Sequence, residues 1–141
     1  MKRSYSFFIA AVVTLSCTLL ASAGDVKVIV NRANAVSALS SEELKRVFLG
    51  TKTSLDDGTR VEPVIKKDGM THEEFVKKYL GKTSTALETY YRSLVFTGKG
   101  SMPKSFESDA QVVAYVAKTK GAIGYVSMGT STPGVKTIDI R

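Results

Sequence analysis

Lys66-Lys67-Asp68-Gly69-Met70-Thr71 runs into a stretch with the spacing of a helix, and that combination can hold an anion. The N–H groups of a helix's first turn lack partners within the helix, and its dipole favours negative charge there. Thr71 offers a hydroxyl, Lys66 and Lys67 offer charge, and Gly69 and Met70 offer backbone. Thr71 has a second role open to it, because Thr71-His72-Glu73-Glu74 has the spacing of a capping box. A second candidate is Thr97-Gly98-Lys99-Gly100-Ser101. Gly98 and Gly100, flanked by hydroxyls that include Ser101, can curl into a nest of N–H groups around an anion, or can simply turn the chain after a helix. Tyr125 follows Gly121 and Gly124 in a short apolar run and can face a ligand or the core.

Enzymatic chemistry finds little purchase. His72 is the one histidine, in the first turn of a predicted helix, where a solvated surface position is the simplest expectation. No second His or Cys of the kind a metal site needs stands near it in sequence. Asp56-Asp57 and Glu73-Glu74 are sequence neighbours whose side chains diverge, whereas acid–base pairs must converge. No Gly-x-Ser-x-Gly or Walker pattern occurs. No catalytic residue, metal or cofactor is therefore expected. A nucleic-acid partner is not expected either, since no basic stripe is interleaved with aromatics.

The elements that must position these residues follow from patterning. Val26–Val30 is a β-branched run and reads as a strand. Ser40-Ser41-Glu42-Glu43 has capping-box spacing, and Leu44, Val47 and Phe48 make the apolar face of a helix that Gly50 stops. Val61–Lys66 is a second strand, with Pro63 marking its start or an edge. Phe75, Val76, Tyr79 and Leu80 face one side of the helix that opens at Thr71 and ends at Gly81. Thr85-Ala86-Leu87-Glu88 opens a third helix, and Ser108-Asp109-Ala110-Gln111 a fourth that ends by Gly121. Gly50, Gly81 and Gly121 are expected at positive φ, as helix C-caps commonly are. Ile123–Ser127 and Val135–Ile140 are strands. The alternation predicts an α/β domain with a small mixed sheet flanked by about four helices.

The first residues read as an export signal. Lys2 and Arg3 precede an apolar run from Phe7 to Leu20, and Ala21-Ser22-Ala23 fits a cleavage site. Residues 1–23 are thus expected to be removed near Ala23, leaving 24–141 as a single domain in a periplasmic or secreted setting. Cys17 sits in a weak lipoprotein-like context, so lipidation is the alternative; cleavage removes the only cysteine. The chain carries a net charge of +7, which suits an anionic partner or an ordinary lysine-rich surface.

These pieces together resemble the second lobe of the periplasmic phosphate-binding proteins of ABC transporters, which have the type 2 periplasmic binding protein fold. The matching segments are Leu39–Leu44, Val47–Gly50, Asp57-Gly58, Glu62–Val64 leading to Phe75, the Phe96-Thr97-Gly98-Lys99-Gly100 stretch, and Gly121–Val126. The chain is most similar to short, single-lobe exported members. The resemblance implies a small oxyanion such as phosphate as ligand, and an ABC transporter or an envelope protein as partner. The full-length binders grip phosphate with an Arg followed by Ser-Gly-Thr at a helix start. Here Gly69, Met70 and Thr71 stand at the Ser-Gly-Thr place, and the Arg position falls near Ile65 or Lys66. The alternative function is an interaction module that kept the fold and lost the ligand site.

Overall fold

The computed structural model describes residues 25–141; the expected leader, Cys17 and the start at Gly24 lie outside them. The chain forms β1 (Val26–Asn31), β2 (Ala38–Leu39), α1 (Ser41–Phe48), β3 (Glu62–Lys66) and α2 (Met70–Phe75). Helix α2 runs on directly into a π-helical turn, Val76–Leu80. Then follow α3 (Ser84–Phe96), β4 (Lys104–Phe106), α4 (Asp109–Lys118), β5 (Ala122–Ser127) and β6 (Val135–Ile140). The six strands lie in the order β2-β6-β1-β5-β3-β4. β1 runs antiparallel to β5 and β6, whereas β3 runs parallel to both β5 and β4. The expected mixed α/β sheet with four α-helices is what the described chain forms.

Side-chain alternation along the strands divides the interior. Val28, Val30, Ile123 and Tyr125 join α1, α2 and α3 in one core; Ile29, Val64, Ala122 and Val126 join α4 in the other. The domain therefore has three layers, with three helices on one face and α4 alone on the opposite face. Pro63 pairs with β5 one residue before β4 joins at Val64, so its missing N–H falls outside the β4 ladder.

The capping box expected at Ser40 forms, and a second closes the expected start of α4 at Ser108. Ser40 Oγ accepts the Glu43 N–H at 3.1 Å while Glu43 Oε2 accepts the Ser40 N–H at 3.0 Å. Ser108 and Gln111 do the same for α4. The third helix starts earlier than its expected Thr85, because Thr83 caps it by accepting the Ala86 N–H. Thr71 is not a cap. The N-cap position falls two residues sooner, at Gly69, with no side-chain cap bond, and the helix begins at Met70. The segment before it explains why: Gly69 at φ 97° lets the chain turn from β3 into the helix without a capping side chain.

Gly50 and Gly81 take the expected positive φ, 78° and 62°. Gly121 does not, and its role is close approach. A Cβ there would stand 2.0 Å from the Arg60 carbonyl oxygen, at the point where Glu62 donates its N–H to the Gly121 carbonyl and the β3–β5 ladder begins. Gly81→Ala should therefore cost about 1 kcal/mol for its left-handed backbone alone. Gly121→Ala should cost more, about 3 kcal/mol, because two backbones must separate. Urea unfolding of both variants measures the difference, and a smaller loss at Gly121 than at Gly81 would contradict the close approach.

Candidate functional site

Because β3, β4 and β5 are parallel, their carboxyl ends meet at one edge of the sheet, at Lys66, Phe106 and Ser127. Helix α2 starts just beyond β3, α4 just beyond β4, and the loop 128–134 leaves β5. Ligands of open α/β sheets settle outside such carboxyl ends. The segment Lys66–Thr71 stands there.

Lys66 is not free. Its Nζ pairs with Asp109 Oδ1 at 2.6 Å, and both side chains are largely buried, 12 % and 17 % exposed. The second oxygen, Asp109 Oδ2, accepts the Ser127 N–H at 3.0 Å and the Thr130 hydroxyl at 2.6 Å. Burial alone would raise this carboxyl, but the Lys66 ammonium and the Thr130 and Ser127 donors outweigh it and hold it at about 2. Lys67 is exposed and makes a looser pair with Glu107, at 3.7 Å. Thr71 is half-buried, and its hydroxyl has no hydrogen-bond partner among the described residues. Met70 is 64 % exposed on the same edge, as is Met128, at 59 %, in the loop after β5.

The second predicted nest is filled by the protein. The Gly98 N–H donates to the Val95 carbonyl, and the Lys99 and Gly100 N–H groups both donate to the Leu94 carbonyl. These amides close the C-terminus of α3, with Gly98 at φ 68°, and none of the three is left for an anion. Gly100 and Ser101 line a groove of about 850 Å³ with Arg60, Glu62 and Lys104. That groove lies at the amino ends of β3, β4 and β5, so the two predicted anion segments are at opposite ends of the sheet.

Tyr125 faces the core. It is fully buried, and its ring stacks on Phe75 with centroids 3.8 Å apart and planes 5° from parallel. Its hydroxyl accepts the Lys66 N–H at 3.0 Å and lies 2.5 Å from His72 Nδ1. The hydroxyl and Nδ1 share one hydrogen bond whose direction follows the imidazole tautomer. Burial pushes the phenol up. His72 is accordingly not the solvated residue its sequence position implies; it is 5 % exposed, and its partner is 53 residues away in the chain. Asp109, Ser127 and Thr130 were not expected at the site, and only the Ser108 capping box hinted that an acidic side chain would stand at the start of α4.

No family model matches the chain, and no curated protein matches its sequence. Its fold, however, is shared with solved phosphate receptors. An ABC-type phosphate transport receptor from Vibrio cholerae superposes with a TM-score of 0.63 at 17% identity, over 82% of this chain and 45% of the receptor. A candidate phosphate ABC transporter substrate-binding protein from Clostridium perfringens, solved with bound phosphate, gives 0.63 at 16%, over 82% and 44%. PstS from Borrelia burgdorferi gives 0.62 at 11%, over 82% and 47%. The chain thus has the fold of one lobe of a periplasmic binding protein and spans less than half the length of these structures.

The buried histidine has a measurable signature. Burial chiefly holds its imidazole below the ordinary 6.5; Glu73 and Asp68 oppose this, and Lys66 reinforces it. The unfolded chain takes up a proton that the folded chain refuses, so stability is full well above pH 6.5 and declines as pH falls through and below it. Asp109 acts lower: its folded value of about 2 lies under the ordinary 3.8, so its contribution is lost as pH falls from 4 toward 2. Melting temperatures across this range should show both declines, and His72→Gln should flatten the upper one only. A parent protein equally stable at pH 7 and pH 5 would contradict this account of His72.

Proposed function

We propose that this chain is an exported, non-enzymatic binding lobe that takes a small oxyanion such as phosphate weakly at the first turn of α2, in the service of an ABC transporter. The observation that carries this reading is the uncommitted Thr71 hydroxyl beside the first-turn N–H groups of α2, at the carboxyl edge of a phosphate-receptor fold. Met70 and Thr71 supply N–H groups that have no carbonyl four residues back within the helix. Gly69 supplies the turn that exposes them, and Lys67 supplies charge from the rim. Lys66 does not supply charge, because Asp109 neutralises it. One exposed lysine, loosely paired with Glu107, and one hydroxyl cannot replace the hydration of a dianion fully, so affinity should be modest. Removal of residues 1–23 would deliver the lobe to the periplasm, and the described residues contain no helix long and apolar enough to cross a membrane.

A second reading has its own observation. The internal Lys66–Asp109 pair and the exposed Met70 and Met128 on the same edge favour a protein contact over an ion. The lobe is then an interaction module for an envelope protein.

Titration calorimetry with phosphate separates the two. The oxyanion reading expects a dissociation constant of about 1 mM. Thr71→Val should weaken it about tenfold. Because Thr71 is not a cap, this change should leave stability within about 0.5 kcal/mol. Lys67→Ala should weaken binding more at low salt than at high salt. No heat from phosphate at several times that concentration would sink the oxyanion reading and leave the interaction module.

A further inference from the structure

We propose that Lys66, Ser127 and Thr130 form a pocket for a small carboxylate, and that the protein fills it with its own Asp109. The inference deepens the reading of the carboxyl edge and rests on it only for the location.

Three separate segments supply the donors. The ammonium comes from the end of β3, the N–H from the end of β5, and the hydroxyl from the loop toward β6. Together they give Asp109 Oδ1 a charge partner at 2.6 Å, without an aligned hydrogen bond, and Oδ2 two donors, most of what a free carboxylate requires on leaving water. The cap of α4 does not use that carboxylate, because Ser108 and Gln111 already cap the helix reciprocally. Asp109 is thus held by distant segments and not by its own turn.

The pocket is also built independently of its occupant. Thr130 donates its N–H to the Ser127 carbonyl, and the two hydroxyls lie 2.8 Å apart. Lys27 Nζ donates to the Thr130 carbonyl at 2.8 Å, and the Met128 N–H donates to the Asp25 carbonyl at 3.0 Å. These bonds fix the loop against β1. On the other side, Tyr125 fixes the backbone of Lys66. Removing the Asp109 carboxylate should therefore leave a preorganised hole with a partly buried, unpaired ammonium in its wall. A carboxylate from solution, or from a docking partner's side chain, fits that hole.

Chemical rescue with formate tests this, since formate reproduces the missing group and little else. Asp109→Ala should melt below the parent in sodium chloride. At constant ionic strength it should regain about 5 °C once formate reaches ten times its dissociation constant. Should the variant be unfolded in chloride, refolding on addition of formate is the supporting result, and failure to refold is the overturning one. Asp109→Asn keeps the hole filled with a neutral amide, so it should be destabilised yet gain nothing from formate. Lys66→Met combined with Asp109→Ala should abolish the gain. In the parent, the Lys66 ammonium signal followed by nitrogen-15 NMR should not move with formate. An Asp109→Ala protein that gains no more than the parent, or a parent whose Lys66 signal shifts with formate, would overturn the proposal. Absence of phosphate binding at Thr71 would leave each of these readings intact, because they depend on Lys66 and not on Thr71.

Discussion

A phenol hydroxyl buried without a partner would cost on the order of 1–3 kcal/mol, and the organisation of this lobe turns on how Tyr125 avoids that penalty. Its oxygen takes the Lys66 N–H from the neighbouring strand and shares a second hydrogen bond with His72 on α2. Its ring lies flat on Phe75 and tilted against Phe48, which belongs to α1. One side chain therefore sets the distance of two helices from the sheet and fixes where β3 ends. The end of β3 is where the Lys66 side chain emerges, so the ion pair at the carboxyl edge depends on a residue that never reaches solvent.

The two ends of the sheet then differ in character. At the carboxyl edge the strongest charges are matched to each other within the protein, and what stays open is a hydroxyl, a helix start and two methionines. At the amino end a broad groove runs past Arg60, Lys99 and Lys104, beside the exposed Phe96 at the end of α3. The chain shares its fold with solved phosphate receptors and spans about 45% of the Vibrio cholerae one.

What the sequence made legible was local. Capping boxes at Ser40 and Ser108 need only residues three apart, and the apolar face Leu44, Val47 and Phe48 needs only one helix. Strands β1 and β5 were legible because their apolar runs are buried on both faces. Thr71 was misread because Gly69 turns the chain two residues sooner, so the same Thr-x-x-Glu spacing lies inside the helix. Strands β2 and β4, of two and three residues, carry no period to read. The burial of His72 and the partnership of Lys66 with Asp109 depend on contacts 53 and 43 residues apart, and no local rule contains them. Gly98 to Ser101 could be read as a nest or a turn, and only the carbonyls of Val95 and Leu94 decide between them.

The position of β1 has a consequence for how the chain comes to be folded. This first strand lies in the middle of the sheet, with Val28 opposite both Tyr125 and Ile138. Neither neighbour exists until nearly the whole polypeptide has been made, so the central ladder cannot assemble progressively from the N-terminus. Such non-local pairing gives high contact order and slow closure. A growing chain would therefore carry β1 unpaired until β5 and β6 have emerged.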